Sequence, residues 1–275
     1  MAPRANEVFA GRLETEGLIQ LDGPAFALDS AEAALVARTR SEGRAKSISL
    51  GRGGAVRHGD DQDDAGAIGA LMRRYADWAA DRVHALAPDY AAGLQRGRTS
   101  LRTRDVSAIV HRPRQDDRRL HIDAFASQPT GGRRILRVFS NINPDGEVRL
   151  WNVGEAFEAH ARRWIHRARP QFPGEALLLR GLGITRAIRT PYDALMLGLH
   201  DAAKLDDAYQ AAAPRREVAF AAGSGWMVFT DSTVHAAISG RYALEQTFYL
   251  EPTALIRPKV SPLRILERLT GRRLV

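Results

Sequence analysis

The clearest hydrophobic periodicity runs between Ala65 and Gln95, where Ile68, Leu71, Met72, Tyr75, Trp78, Ala79 and Val83 recur at intervals of three and four. That spacing predicts an amphipathic helix, broken near Pro88 because proline lacks an amide hydrogen and clashes with the preceding turn. A second helix is predicted over Glu32 to Val36, with Asp29 or Ser30 as its cap and Gly43 ending it. Phe157, Ala161, Trp164 and Ile165 give a third between Gly154 and Arg169. Thr190 before Pro191 carries the N-cap and N1 signature of a long helix to Gln210, and Ser261 before Pro262 repeats it for a short one to Leu269.

Elsewhere the period falls to two. Val8 to Leu28 mixes apolar residues with Gly and Pro and predicts one or two short strands, and an extended pattern begins at Thr99. After a turn at Pro129 to Gly132, Ile135, Arg137, Phe139 and Asn141 share one strand face, and Leu136, Val138 and Ser140 share the other. Glu217 to Phe220, Trp226 to Thr230 and Leu244 to Leu250 follow as strands parted by Gly-rich turns. Short strands closing on a sheet begun before residue 125 predict an α+β, mainly β fold, a double-stranded β-helix (jelly roll) with flanking helices. The expected organisation is one domain over 1–275, in which 1–98 form a mostly helical extension packed on a 99–275 core.

Composition narrows the chemistry. With 275 residues, 44% of them hydrophobic, the chain can bury one substantial core. It has no cysteine, which excludes disulfides, thiolate metal sites and cysteine nucleophiles. The start, Met1 to Glu7, lacks the order of a secretory signal, and no apolar run approaches the ~20 residues of a spanning helix, so a cytoplasmic protein without a transmembrane segment is expected. Forty Lys and Arg face 32 Asp and Glu, for a net charge of +8. Arginine far outnumbers lysine, which codon bias explains in part. A basic face also attracts anionic partners, either nucleic acid or a membrane bearing phosphorylated lipid. Neither zinc-finger spacing nor an aromatic and basic RNA-recognition motif occurs, so no nucleic-acid partner is expected. The short C-terminal helix, with Leu263, Leu266 and Leu269 on one side and arginines around them, either docks on the core or lies against anionic lipid.

The chemistry-bearing stretch is His121-Ile122-Asp123. On an extended chain both polar side chains turn to the same face, because strand side chains alternate. His235, just beyond the strand-like run Gly225 to Phe229, supplies a second imidazole. Two histidines and one carboxylate on one face leave three coordination positions open, which suits non-haem Fe(II) activating dioxygen. An enzyme that also uses 2-oxoglutarate needs a cation for the distal carboxylate. Arg137, among large apolar neighbours and costly to bury without an anion, is the better candidate; Arg133 and Arg134 stand near the turn and are read as solvated. The remaining histidines are read as structural or surface residues: His84, His111, His160, His166, and His58 in the loop His58-Gly59-Asp60-Asp61.

The runs HIDAF (121–125), GGRRILRVFSNINP (131–144), YDALMLGLHDAAKLDDAYQ (192–210), GSGWMVFTDSTVHAAISGRYALEQTFYL (223–250) and SPLRILERLTGR (261–272) resemble the Kdo 3-hydroxylases. The resemblance spans Leu101 to the C-terminus and, more loosely, the region before it. It implies an Fe(II)/2-oxoglutarate-dependent dioxygenase with His121, Asp123 and His235 as iron ligands. Dioxygen is consumed, and a hydroxyl is placed on C3 of a Kdo sugar in Kdo-lipid A, part of the lipopolysaccharide inner core. The partner would be Kdo-bearing lipid A at the inner membrane surface, with the enzyme cytoplasmic or peripheral there. Many related dioxygenases place the 2-oxoglutarate arginine nine or ten residues after the last histidine; here Leu244 and Glu245 stand there. That departure throws weight onto Arg137, with Arg241 as fallback and Gln246 or Thr247 as hydrogen-bonding helpers. By residue type alone His200 and Lys204 are polar surface; the family motif around them implies contacts to an acidic sugar. Two other readings stay open, a hydroxylase of a protein or small metabolite and a non-catalytic basic module for lipopolysaccharide or nucleic acid.

Overall fold

The computed structural model describes residues 5–23, 25–41, 45–51, 53–59, 63–108, 112–169 and 171–275. Gly43, Asp60, Asp61 and His111 lie outside the described residues. The chain begins with α1 (Ala5–Glu16), β1 (Leu18–Gln20), α2 (Ser30–Arg38), β2 (Ile48–Leu50), β3 (Val56–Arg57), α3 (Ala65–Leu86) and β4 (Leu94–Arg102). It continues with β5 (Arg134–Asn141), β6 (Arg149–Val153), α4 (Phe157–Trp164), α5 (Glu175–Gly181), α6 (Pro191–Leu205) and α7 (Asp207–Ala212). The last elements are β7 (Arg216–Phe220), β8 (Gly225–Phe229), β9 (His235–Ser239), β10 (Ala243–Leu250) and α8 (Pro262–Thr270).

The strands form two antiparallel sheets, a major one in the order β1-β8-β5-β10-β4-β2-β3 and a minor one in the order β7-β6-β9. This is the expected mainly β jelly roll with flanking helices. Alternation along β5 and β10 divides the chemistry. Leu136, Val138, Leu244 and Phe248 turn outward into a core closed by α1, α2 and α3, where Tyr75 donates its hydroxyl to the Val138 carbonyl. The opposite faces turn inward between the sheets. There Phe139, Trp151, Phe220 and Trp226 stack, with Trp226 3.8 Å from Phe220 and 4.9 Å from Phe139 between centroids.

Helix ends follow the local chemistry. Asp29 caps α2 and Thr190 caps α6, each in a reciprocal capping box with Glu32 and Asp193, and Ser261 caps α8. Between Val8 and Leu28 the expectation of one or two strands is met by β1, but the residues before it form α1, which the pattern does not predict. The apolar residues of α1 do not gather on one clean stripe, so periodicity conceals it; packing of Ala10 and Leu13 into the core secures it. The boundary placed at residue 98 falls within β4, and residues before it give β1, β2 and β3 to the major sheet. The apolar side of α8 is spent on the core, where Leu263 and Leu266 are buried among residues of α4 and α6. No helix among the described residues is long and apolar enough to cross a membrane.

Candidate active site

His121 and His235 are cross-strand partners. The His121 amide donates to the His235 carbonyl at 3.0 Å and the His235 amide donates back at 2.8 Å, an isolated antiparallel bridge beside the minor sheet. Directly opposed residues point to the same face, and the two rings lie 4.6 Å apart. The rest of 120–125 is irregular rather than strand, yet the alternation holds, because the Asp123 amide is fixed by the Thr230 carbonyl at 2.7 Å. One ligand atom from each of His121, Asp123 and His235 lies within 4.8 Å of the others.

The hydrogen bonds around this cluster fit a metal ion. Nδ1 of His121 is 2.7 Å from the Arg119 carbonyl and Nδ1 of His235 is 2.8 Å from the Thr233 carbonyl. A carbonyl only accepts, so each Nδ1 carries the hydrogen and each Nε2 keeps a free lone pair. Burial and the neighbouring His235 lower the His121 pKa well below its ordinary value, and burial lowers that of His235. Burial would raise the Asp123 pKa, but Arg137 and His235 outweigh it and keep the carboxylate ionised. Two neutral imidazoles and one carboxylate are the donor set of the 2-His-1-carboxylate face.

Beside the cluster is a cage of arginines, Arg137 and Arg149 buried and Arg102 half-buried. Arg137 reaches Asp123 with Nη2 at 2.7 Å and Glu245 with Nη1 at 2.5 Å. Arg102 binds the other Glu245 oxygen at 2.6 Å. Burial works against the ionised Glu245, but Arg102 and Arg137 bring its pKa down to about 2. Arg149 donates Nη1 to the Gly240 carbonyl at 2.8 Å, while its buried Nε has no partner. Burial and the nearby Arg102 lower its pKa to about 10. Gly240 is at φ +105°, and a Cβ there would stand 2.8 Å from the Arg149 Cα, so only glycine admits this approach. Trp151, two residues from Arg149 on the same face of β6, lies over His235 with ring centres 5.1 Å apart and a tilt of 20°; its indole nitrogen is also buried without a partner.

A family model described as 3-deoxy-D-manno-oct-2-ulosonic acid (Kdo) hydroxylase matches residues 1–273. The chain belongs to the Kdo hydroxylase family. Its structure is similar to that of the Kdo hydroxylase KdoO, a non-haem Fe(II) α-ketoglutarate-dependent dioxygenase. Against the KdoO complex with cobalt(II) the identity is 39% and the TM-score 0.93, covering 100% of this chain and 93% of that one. Against the complex with α-ketoglutarate and Fe(III) the identity is 38%, with a TM-score of 0.92 and the same coverage. A complex of KdoO with succinate and Fe(III) matches at 39% and 0.92. No curated protein sequence matches this chain.

Within this Kdo hydroxylase fold, the residues singled out in sequence fall into two groups. His121, Asp123, His235 and Arg137 come together, and α6 brings His200 to the same place, its ring 5.6 Å from that of His121 and its Nδ1 3.0 Å from Asp201. Lys204, one turn later, is buried, 3.6 Å from Asp117 and 3.3 Å from the Arg114 carbonyl. Burial would raise the Asp117 pKa, but Lys46, His121, Arg102 and Lys204 together hold it far below the carboxylate range. Thr247 shares the inner face of β10, bonding Glu245 at 3.3 Å.

Arg241 and Gln246 do not join the site. Arg241 is at the surface end of β10, paired with Asp145 at 2.7 Å and Glu147 at 3.2 Å. Gln246 points to the opposite face of β10, where its Oε1 accepts from Thr99 at 2.6 Å. Arg134, expected to be solvated, is fully buried; its fork meets Asp231 at 2.7 and 3.1 Å, which supplies the counter-charge and braces the loop before His235. His84, His58 and His166 are exposed; His160 is buried beside Glu155 and Tyr209. Sequence reasoning missed Arg102, Arg149, Trp151, Asp117 and Lys46. The pair Arg149 and Trp151, at the spacing of one strand face, was the only local signal.

Proposed function

We propose that this chain is an Fe(II)/2-oxoglutarate-dependent dioxygenase that hydroxylates C3 of a Kdo residue in Kdo-lipid A, meeting that lipid at the inner face of the inner membrane. His121, Asp123 and His235 hold the iron. With 2-oxoglutarate and dioxygen, the bound iron supplies the oxidising power for inserting a hydroxyl, and the co-substrate leaves as succinate and carbon dioxide. Residues 1–275 act as one dioxygenase domain, with the first third closing the outer face of the major sheet.

The chain's own residues do the positioning. Arg119 and Thr233 fix the imidazole tautomers through their carbonyls, and Thr230 fixes Asp123 through its own. Arg137, Arg102 and Arg149 receive the distal carboxylate of 2-oxoglutarate, with Thr247 beside them. The observation that carries this reading is the buried Nε of Arg149, a cation donor left without a partner on the strand whose Trp151 stacks on His235. An unpaired buried donor is costly and is retained where an anionic ligand completes it. His200 and Lys204 face the cluster from α6 and contact the sugar acid.

The test is His235→Ala with purified Kdo-bearing lipid A. The wild type should form succinate in an iron-dependent way and add one oxygen atom to the lipid, by mass spectrometry. The variant should lose both while its circular dichroism stays unchanged. Undiminished turnover in the variant rejects the ligand set. Succinate formation only with a protein or small metabolite moves the assignment to that substrate class.

A further inference from the structure

The segment 171–189 carries an apolar surface that no core uses. Phe172, Leu177, Leu178, Leu182, Ile184 and Ile188 are each between 53 and 65% exposed, and α5 has no buried residue. A contiguous exposed patch of large aliphatic side chains marks an interaction surface. Its rim is basic: Arg169, Arg180, Arg186 and Arg189 stand among these residues, and between 169 and 189 the only acid is Glu175, which Arg169 neutralises at 2.7 Å.

The patch is tied to the site. The Arg186 amide donates to the Ser127 carbonyl at 2.9 Å and Arg189 Nη2 donates to the Ala126 carbonyl at 2.7 Å, both on the chain leaving Asp123. Between α5 and α6 runs a groove lined by Arg114, Arg169 and Arg189. Its far wall is Asp201, the partner of His200.

We propose that 171–189 is the membrane-docking element, its leucines and Phe172 entering the acyl boundary of an anionic bilayer and its arginines resting on the phosphate headgroups. The assignment rests on the lipid-borne substrate proposed above and names the surface that meets it. Charge decides the occupant. A two-fold contact with a second copy would set arginines against arginines, whereas an anionic lipid surface is complementary to them. Helix α8, the other basic amphipathic element, has its apolar side already buried.

The test is co-sedimentation of the full chain with vesicles of phosphatidylglycerol and phosphatidylethanolamine, against vesicles of phosphatidylcholine alone. The wild type should pellet with the anionic vesicles in a salt-sensitive way. The triple variant Leu177→Gln, Leu178→Gln, Leu182→Gln should bind them roughly tenfold or more weakly, and Arg180→Ala with Arg186→Ala should lose the preference for anionic lipid. Turnover of detergent-dispersed Kdo-lipid by the triple variant should match the wild type, which shows an intact fold. Binding is read without catalysis, so a failure of the Kdo assignment leaves it legible. Equal binding by wild type and triple variant overturns the proposal, as does a wild type that stays in the supernatant with both vesicles. So does a wild-type dimer in vesicle-free buffer that the triple variant abolishes, because the patch then covers a second copy.

Discussion

Arg137 Nη1 lies 2.5 Å from Glu245 Oε1, diagonally across the β5 and β10 pair. Glu245 stands ten residues after His235, where the resemblance leads to the expectation of an arginine, so the charge expected there is reversed, and a buried cation stands on the neighbouring strand. Glu245 also holds Arg102, and thereby fixes two guanidinium forks at once. Replacing it by Gln takes the near counter-charge from Arg102 and leaves Arg137 with Asp123 alone. Glu245→Gln should lower unfolding free energy by about 3 to 5 kcal/mol in urea titrations. Added 2-oxoglutarate should restore part of that loss, and a change under about 1 kcal/mol would show the pair to be dispensable.

The same carboxylate sets a pH window. The folded pKa of Glu245, about 2, is below its ordinary 4.5. A depressed carboxylate contributes stability that is fully present above the ordinary value and lost as pH falls through the folded one. The stability gap between wild type and Glu245→Gln should therefore stay level above pH ~5 and shrink between pH ~4.5 and ~2. Denaturant midpoints measured across that range check it; a gap that widens with acid contradicts it.

Under the proposed function, Arg149 trades stability for binding. Burial disfavours its charge and its Nε is unpaired, so an apolar side chain of similar length relieves that cost. Arg149→Met should raise the melting temperature of the ligand-free protein and weaken 2-oxoglutarate by roughly tenfold or more, since a charge-assisted contact is worth about 1.5 to 3 kcal/mol. Calorimetric titration with an inert divalent ion in place of iron reads the second effect. A lower melting temperature with unchanged affinity would assign Arg149 to the fold alone.

Under the proposed function, Lys204 separates substrate from co-substrate. It stands on α6 3.6 Å from Asp117, whose other oxygen is 3.9 Å from Arg102 at the edge of the arginine cage. Lys204→Met should cut kcat/KM for Kdo-bearing lipid by about tenfold, the worth of one charge-assisted contact, while KM for 2-oxoglutarate stays within twofold. Parallel loss of both constants would place Lys204 in the cage rather than against the sugar.

Local patterns carried far into this protein wherever a residue's role depends on its own neighbours. Thr190 and Pro191 announced the start of α6, and the alternation from Ile135 to Asn141 assigned Arg137 to the inner face. His121 and Asp123 declared themselves at the spacing of one strand face, although most of that stretch is irregular. Patterns failed where a partner is remote. Nothing near Arg134 reveals Asp231, ninety-seven residues away, so its burial was unreadable. Arg241 and Gln246 illustrate the converse: distance from His235 nominated both, and the register of β10 turned Gln246 outward and left Arg241 on the surface.

By itself the sequence determined the helix caps, the mainly β character and the pairing of His121 with Asp123, because each follows from spacing along a few residues of backbone. His235 was named by its place after a strand-like run and by the family resemblance. Only the tertiary structure decided which cations stand beside them. Arg102, Arg137 and Arg149 arrive on three strands from two sheets, and their meeting depends on strand order and register, which long-range pairing sets and no short window of sequence contains.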